Sequence, residues 1–139
     1  MDDEPTYQLQ PIGRVESSLT DRADAPNQGD EGGPEAWVVV RPELHPALRG
    51  LQVHHEIVLV TWLDRGDRSV LEVHPRGDPD RPVHGVFATR SPDRPNPVGL
   101  HQVRILAIDG TRIRVSDLEA IDGTPVLDIK PALVAASDR

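Results

Sequence analysis

The sequence predicts an all-β fold: a single antiparallel β-barrel with long loops and at most one short helix. Three observations carry this expectation. Runs rich in β-branched residues recur from Trp37 onward, each bounded by turn-forming residues. Fourteen prolines and eleven glycines leave little room for long helices. Closing an antiparallel sheet on itself removes its exposed edges, which makes a barrel the expected arrangement.

Taken in order, residues 1–11 read as a flexible N-terminal tail, 12–132 as the barrel domain and 133–139 as a C-terminal tail. Ile12–Val15 is a short strand candidate. Ser17–Glu35 is polar and rich in Gly, Pro, Asp and Asn, the composition of a long loop, and loops of that length in a compact domain are usually functional or disordered. Trp37–Val40, Glu56–Leu63 and Ser69–Val73 then read as strands. Between the first two, Pro42–Leu51 is the sole helical candidate. His84–Thr89 and Val98–Ile108 follow. Asp109-Gly110 is a hairpin turn signal leading into TRIRVSDL, where Ile113 and Val115 alternate with Arg112, Arg114 and Ser116. The pentapeptide AIDGT occurs at Ala107–Thr111 and again at Ala120–Thr124, which reads as two similar turns.

Composition narrows the function. The 139 residues suffice for one domain with its own core. The absence of Cys removes disulfides and thiolate metal sites, and no apolar run reaches membrane-spanning length. The acidic start MDDEPTYQ lacks a signal peptide's pattern, so a cytoplasmic protein is expected, with no membrane partner. A net charge of -8 does not suit nucleic-acid binding through overall charge. The basic residues, however, are arginines apart from Lys130, and Arg suits bidentate carboxylate or phosphate contacts in a local pocket. The six histidines show no metal-binding spacing, so no metal is expected.

One segment stands apart. FATRSPDRPNPVGL (Phe87–Leu100) places three prolines and two arginines between two strand candidates. Proline fixes φ and removes donors, so this is a stiff loop already ordered before any ligand arrives. Arg90 and Arg94 in it either hold an anion, with Arg94 a candidate substrate contact, or pair with acidic neighbours. The PxxP spacing also permits recognition by a partner domain. Farther on, Asp128 and Lys130 share a face if LDIKP is a strand. They form an exposed ion pair or bracket a polar site.

FATRSPDRPNPVGL, followed by DLEAIDGTPVLDIKP (Asp117–Pro131), resembles the TsaA/TrmO-like family from about Ile12 to Pro131. That family comprises S-adenosylmethionine-dependent enzymes, represented by a tRNA methyltransferase acting on threonylcarbamoyl-adenosine. The resemblance implies a dimeric β-barrel with S-adenosylmethionine as cofactor. It implies cofactor contacts at Pro26, Asn27 and Gln28, at Asp64 and Arg65, at Arg90 and Leu100, and at Ala120, Ile121, Asp122 and Gly123. Asp128 becomes the candidate proton acceptor, with Lys130 or Arg94 orienting the substrate. Glu16-Ser17-Ser18 replaces the family's R-S-P, Asn27 replaces Arg, His101 replaces Ser after the G-L pair, and Ala132 replaces Tyr. Three functions follow as expectations: methylation of tRNA with Arg104, Arg112 and Arg114 forming a basic cleft in a homodimer, methylation of a small molecule, or non-catalytic cofactor binding.

Overall fold

The computed structural model describes residues 4–22, 25 and 33–133. Eight strands are formed: β1 (Gly13–Glu16), β2 (Ala36–Val40), β3 (Glu56–Trp62), β4 (Glu72–Val73), β5 (His84–Gly85), β6 (Val98–Asp109), β7 (Arg112–Val115) and β8 (Pro125–Pro131). Six of them make one antiparallel sheet in the order β1-β2-β7-β6-β3-β8, and β8 pairs back onto β1, so the ring of pairings closes. β4 and β5 form a separate two-stranded ribbon.

Side-chain alternation decides which face of each strand is buried. Val15, Val38, Val40, Ile57, Leu59, Val103, Ile105, Ile113, Val115 and Val126 point inward and make one core with Leu118 and Ala120. Burying a side chain of this size contributes roughly 1.5–3 kcal/mol.

Three expectations need correction. Ser69–Val73 contributes only Glu72–Val73 as strand, because Arg68 and Ser69 are held in a loop: Ser69 donates to Asp67 and Arg68 to Pro95. His84–Thr89 is a strand only at its first two residues; Val86–Ala88 is a 3-10 turn whose carbonyl at Val86 accepts from the Thr89 N–H. In place of the single short helix, the segments Pro42–Leu48, Pro75–Gly77 and Val86–Ala88 among the described residues are 3-10 helices. Pro46 lies within the first of these, and an internal proline cannot donate to an α-helical ladder. Among the described residues no α-helix is present.

One irregularity positions the site. Between Ile105 and Ala107 the β6–β7 register shifts, which is a bulge that bends the strand away from its partner. Ser116 makes the last link, donating its N–H to the Arg104 carbonyl and accepting the Arg104 N–H on its hydroxyl, 3.0 Å each. Asp117 then takes a positive φ of 46° and the chain turns off. From Val98 to Val103 β6 is therefore paired, among the described residues, on one side with β3 alone.

Candidate functional site

That half-paired strand borders a cleft. In an antiparallel ladder, successive residues aim their N–H and C=O at opposite edges. Pro97 aims its C=O, and Ile105 its N–H and C=O, at the β3 side: Pro97 accepts from Leu63, and Ile105 accepts from His54 and donates to His55. Leu100 and Gln102 share the parity of Arg104, so their backbone groups face the other edge, where no described strand pairs with them. Across the gap runs Ser116–Thr124, which contributes Ser116, Asp117, Glu119, Ala120, Ile121 and Thr124 to the lining. The proline-rich loop and the Leu63–Gly66 turn close a third side. The cleft volume is about 2300 Å³, larger than the roughly 300–1,000 Å³ of a small-molecule pocket.

The proline-rich loop is tied down from outside and from within. Arg22 pairs with Asp93 at 2.7 Å, and the Asp67 N–H donates to the same carboxylate at 2.9 Å. Burial raises the pKa of Asp93, but these two hydrogen bonds and the Arg22 charge outweigh it, so the carboxyl titrates below the ordinary aspartate range. Arg68 donates to the Pro95 carbonyl and the Asn96 side chain, and stacks over Trp62. Gly66 permits the close approach, since a Cβ there would lie 2.2 Å from the Pro92 carbonyl oxygen.

Arg94 differs from the sequence expectation. Its guanidinium borders the cleft but donates to the carbonyls of Val86, Thr89 and Ser91 at 2.8–3.0 Å, so it braces its own loop. Arg90 is the reverse case. It is exposed, lines the cleft, and makes no ion pair with any described residue. One arginine of the motif is structural, and the other is available.

The other predicted contacts divide. Asp64, Arg65, Leu100, Ala120 and Ile121 line the cleft. Asp122 and Gly123 do not: the Asp122 carboxylate accepts the Ser17 N–H, and the Gly123 N–H bonds to Val15, which fastens the turn to the start of the long loop. Pro26, Asn27 and Gln28 lie outside the described residues. Asp128 and Lys130 sit across from Val60 and Val58 on the outer face of the sheet and pair with each other at 3.1 Å. Neither borders the cleft. The ion pair is the alternative that the structure realises. Arg104, Arg112 and Arg114 are neutralised by Glu56, Glu16 and Glu35, so they form no free basic stripe. Hydrogen bonds from Gln102 and Arg104 hold the Glu56 carboxyl below its usual range.

Three residues that sequence reasoning missed meet beneath the cleft, with His101 and Glu119 lining it and Thr61 buried behind them. His101 is only 5 % exposed; its Nε2 lies 2.7 Å from the Thr61 hydroxyl, and its Nδ1 bonds the Glu119 carboxylate. A carboxylate only accepts, so Nδ1 carries the hydrogen. The available signal was parity: His101 occupies an inward position between Gly99 and Val103, where an imidazole needs buried partners.

Comparison with known proteins agrees with this architecture. The sequence matches the tRNA-methyltransferase O N-terminal domain family over residues 14–138. It is 45 % identical over 123 residues to a probable S-adenosyl-L-methionine-binding protein of Methanothermobacter thermautotrophicus, covering 88 % of each chain. It is 39 % identical over 122 residues to an S-adenosyl-L-methionine-binding protein of Archaeoglobus fulgidus, covering 88 % of this chain and 86 % of that one. Among solved structures, TrmO from Pseudomonas aeruginosa is similar at a TM-score of 0.74 and 29 % identity, covering 97 % of this chain; the chain spans 60 % of the length of that protein.

Proposed function

The chain belongs to the tRNA-methyltransferase O N-terminal domain family, and from that membership we propose that it is an S-adenosylmethionine-dependent methyltransferase that N-methylates threonylcarbamoyl-adenosine in tRNA. S-adenosylmethionine is its cofactor, as the names of its relatives support. One observation carries the assignment to this cleft: the β6 edge at Leu100 and Gln102, which no described strand pairs, Arg90, which pairs with no described acidic residue, and the apolar pair Ala120–Ile121 border the same space. These match the cofactor's chemistry group by group. Backbone donors and acceptors suit an adenine edge, a guanidinium suits the methionine carboxylate, and small apolar side chains suit the ring face. Asp64 and Arg65 flank this set, while Pro26, Asn27 and Gln28 follow from family resemblance alone.

When bound, the cofactor supplies an electrophilic methyl on its sulfonium. The chain's own part is to hold the acceptor nitrogen in line with that methyl, which contributes through orientation. The braced loop serves this purpose, because a site ordered beforehand loses less entropy on binding. Phe87, 83 % exposed at the rim near Arg90, offers a ring on which a nucleobase can stack. A homodimer completes the proposal, supported by exposed Val98 and Leu100 on the outer face beside Trp62 and Val60.

A second reading is methylation of a small molecule. It is favoured by the paired state of Arg104, Arg112 and Arg114 and by the net charge of -8. Incubation with methyl-labelled cofactor and either unfractionated tRNA or a metabolite extract separates the two. Label in tRNA is expected; label only in the small-molecule fraction favours the second reading, and label in neither leaves a binding protein.

A further inference from the structure

The Thr61–His101–Glu119 chain remains without a role in cofactor binding. It combines a hydroxyl, an imidazole and a carboxylate in contact order, the residue types of a nucleophilic triad. Thr61, however, is fully buried and does not border the cleft, so it cannot attack a bound molecule. The exposed end is the other one. Glu119 borders the cleft with its side chain 16 % exposed, one oxygen engaged by His101 and the second without a partner among the described residues.

Methylation of a carbamoylated amine needs a base, because the nitrogen lone pair is delocalised until its proton leaves. Asp128 was the sequence candidate, and it is turned to the outer face and paired with Lys130. Resting on the methyl-transfer reading, we propose that Glu119, positioned by His101 and Thr61, takes the proton from the acceptor nitrogen. The N–H bond breaks as the proton passes to the free Glu119 oxygen. The nitrogen pair forms the new N–C bond, the S–C bond breaks, and its electron pair returns to sulfur as the neutral thioether leaves. His101 holds the carboxylate through its Nδ1–H, and Thr61 donates to Nε2 so that the ring cannot turn. His101 and Thr61 are positioning residues. Glu119 is the catalytic one.

The test is methyl transfer from labelled cofactor to unfractionated tRNA, with cofactor affinity measured by calorimetry on every variant. Glu119→Gln is expected to lower kcat by about 10²–10³-fold while cofactor affinity stays within about threefold. His101→Ala should lower kcat by about tenfold with KM unchanged, and His101→Asn, which keeps a donor toward Glu119, should recover part of it. Glu119→Asp, which keeps a carboxylate, should recover part of what Glu119→Gln loses. A Glu119→Gln rate within threefold of wild type overturns the assignment. If that variant does not fold, a His101→Ala rate equal to wild type overturns it instead. Wild-type protein that binds cofactor but labels no tRNA overturns the tRNA reading and this assignment together.

Discussion

Thr61 Oγ1 lies 2.7 Å from His101 Nε2, and the contact exists because Gly99 leaves the space between them open. Gly99 is the direct cross-strand partner of Thr61, while His101 faces Leu59, so the hydroxyl reaches its imidazole on the diagonal. A Cβ at Gly99 would stand 2.6 Å from the hydroxyl and 2.8 Å from the ring nitrogen. Gly99→Ala is therefore expected to destabilise the fold by about 1–3 kcal/mol in denaturant unfolding. It should also separate the two side chains.

Thr61→Val probes the same contact without adding bulk. The ring nitrogen of a 5 % exposed histidine would lose its partner, a change expected to cost about 1–3 kcal/mol. An equilibrium urea titration checks it; a loss well under 1 kcal/mol would show that another group satisfies the nitrogen.

Arg94→Ala should act on stability before ligand binding. It leaves the carbonyls of Val86, Thr89 and Ser91 without their shared donor, and removing a charged donor from such groups costs about 1.5–3 kcal/mol. Thermal unfolding should register the loss in the absence of any ligand, and hydrogen exchange at Thr89–Asn96 should rise.

The Arg22–Asp93 link gives the loop a definite pH dependence. The Asp93 pKa is lowered in the folded protein, so its stabilisation is present above the unfolded value and is lost as pH falls through the folded one. The loop should stay fastened into the acid side of the ordinary aspartate range and then loosen. Asp93→Asn should remove that dependence, as followed by stability measured against pH.

Much of this was legible in the residues. Runs of β-branched residues between turn signals located β2, β3 and β6, alternation of Ile113 and Val115 with polar residues located β7, and the DG signal located the β6–β7 turn. The β6 bulge was not legible, because it depends on how Leu106 is accommodated between Ile105 and Ala107 in the closed ring. The site divides likewise. The motif marked Arg90 and Arg94 alike, and only the carbonyl geometry around Val86 distinguishes the braced arginine from the available one. His101 was invisible as a site because its partners, Thr61 and Glu119, are 40 and 18 residues away in sequence.

The central claim is that the cleft beside β6 holds S-adenosylmethionine, with Arg90 as the cation that meets it. Calorimetric titration of the cofactor into wild-type protein and Arg90→Ala tests it most directly. One site per chain is expected, weakened about tenfold or more in the variant, on the order of 1.4 kcal/mol, with no loss of thermal stability. Absence of binding, or equal affinity in the two proteins, would contradict it.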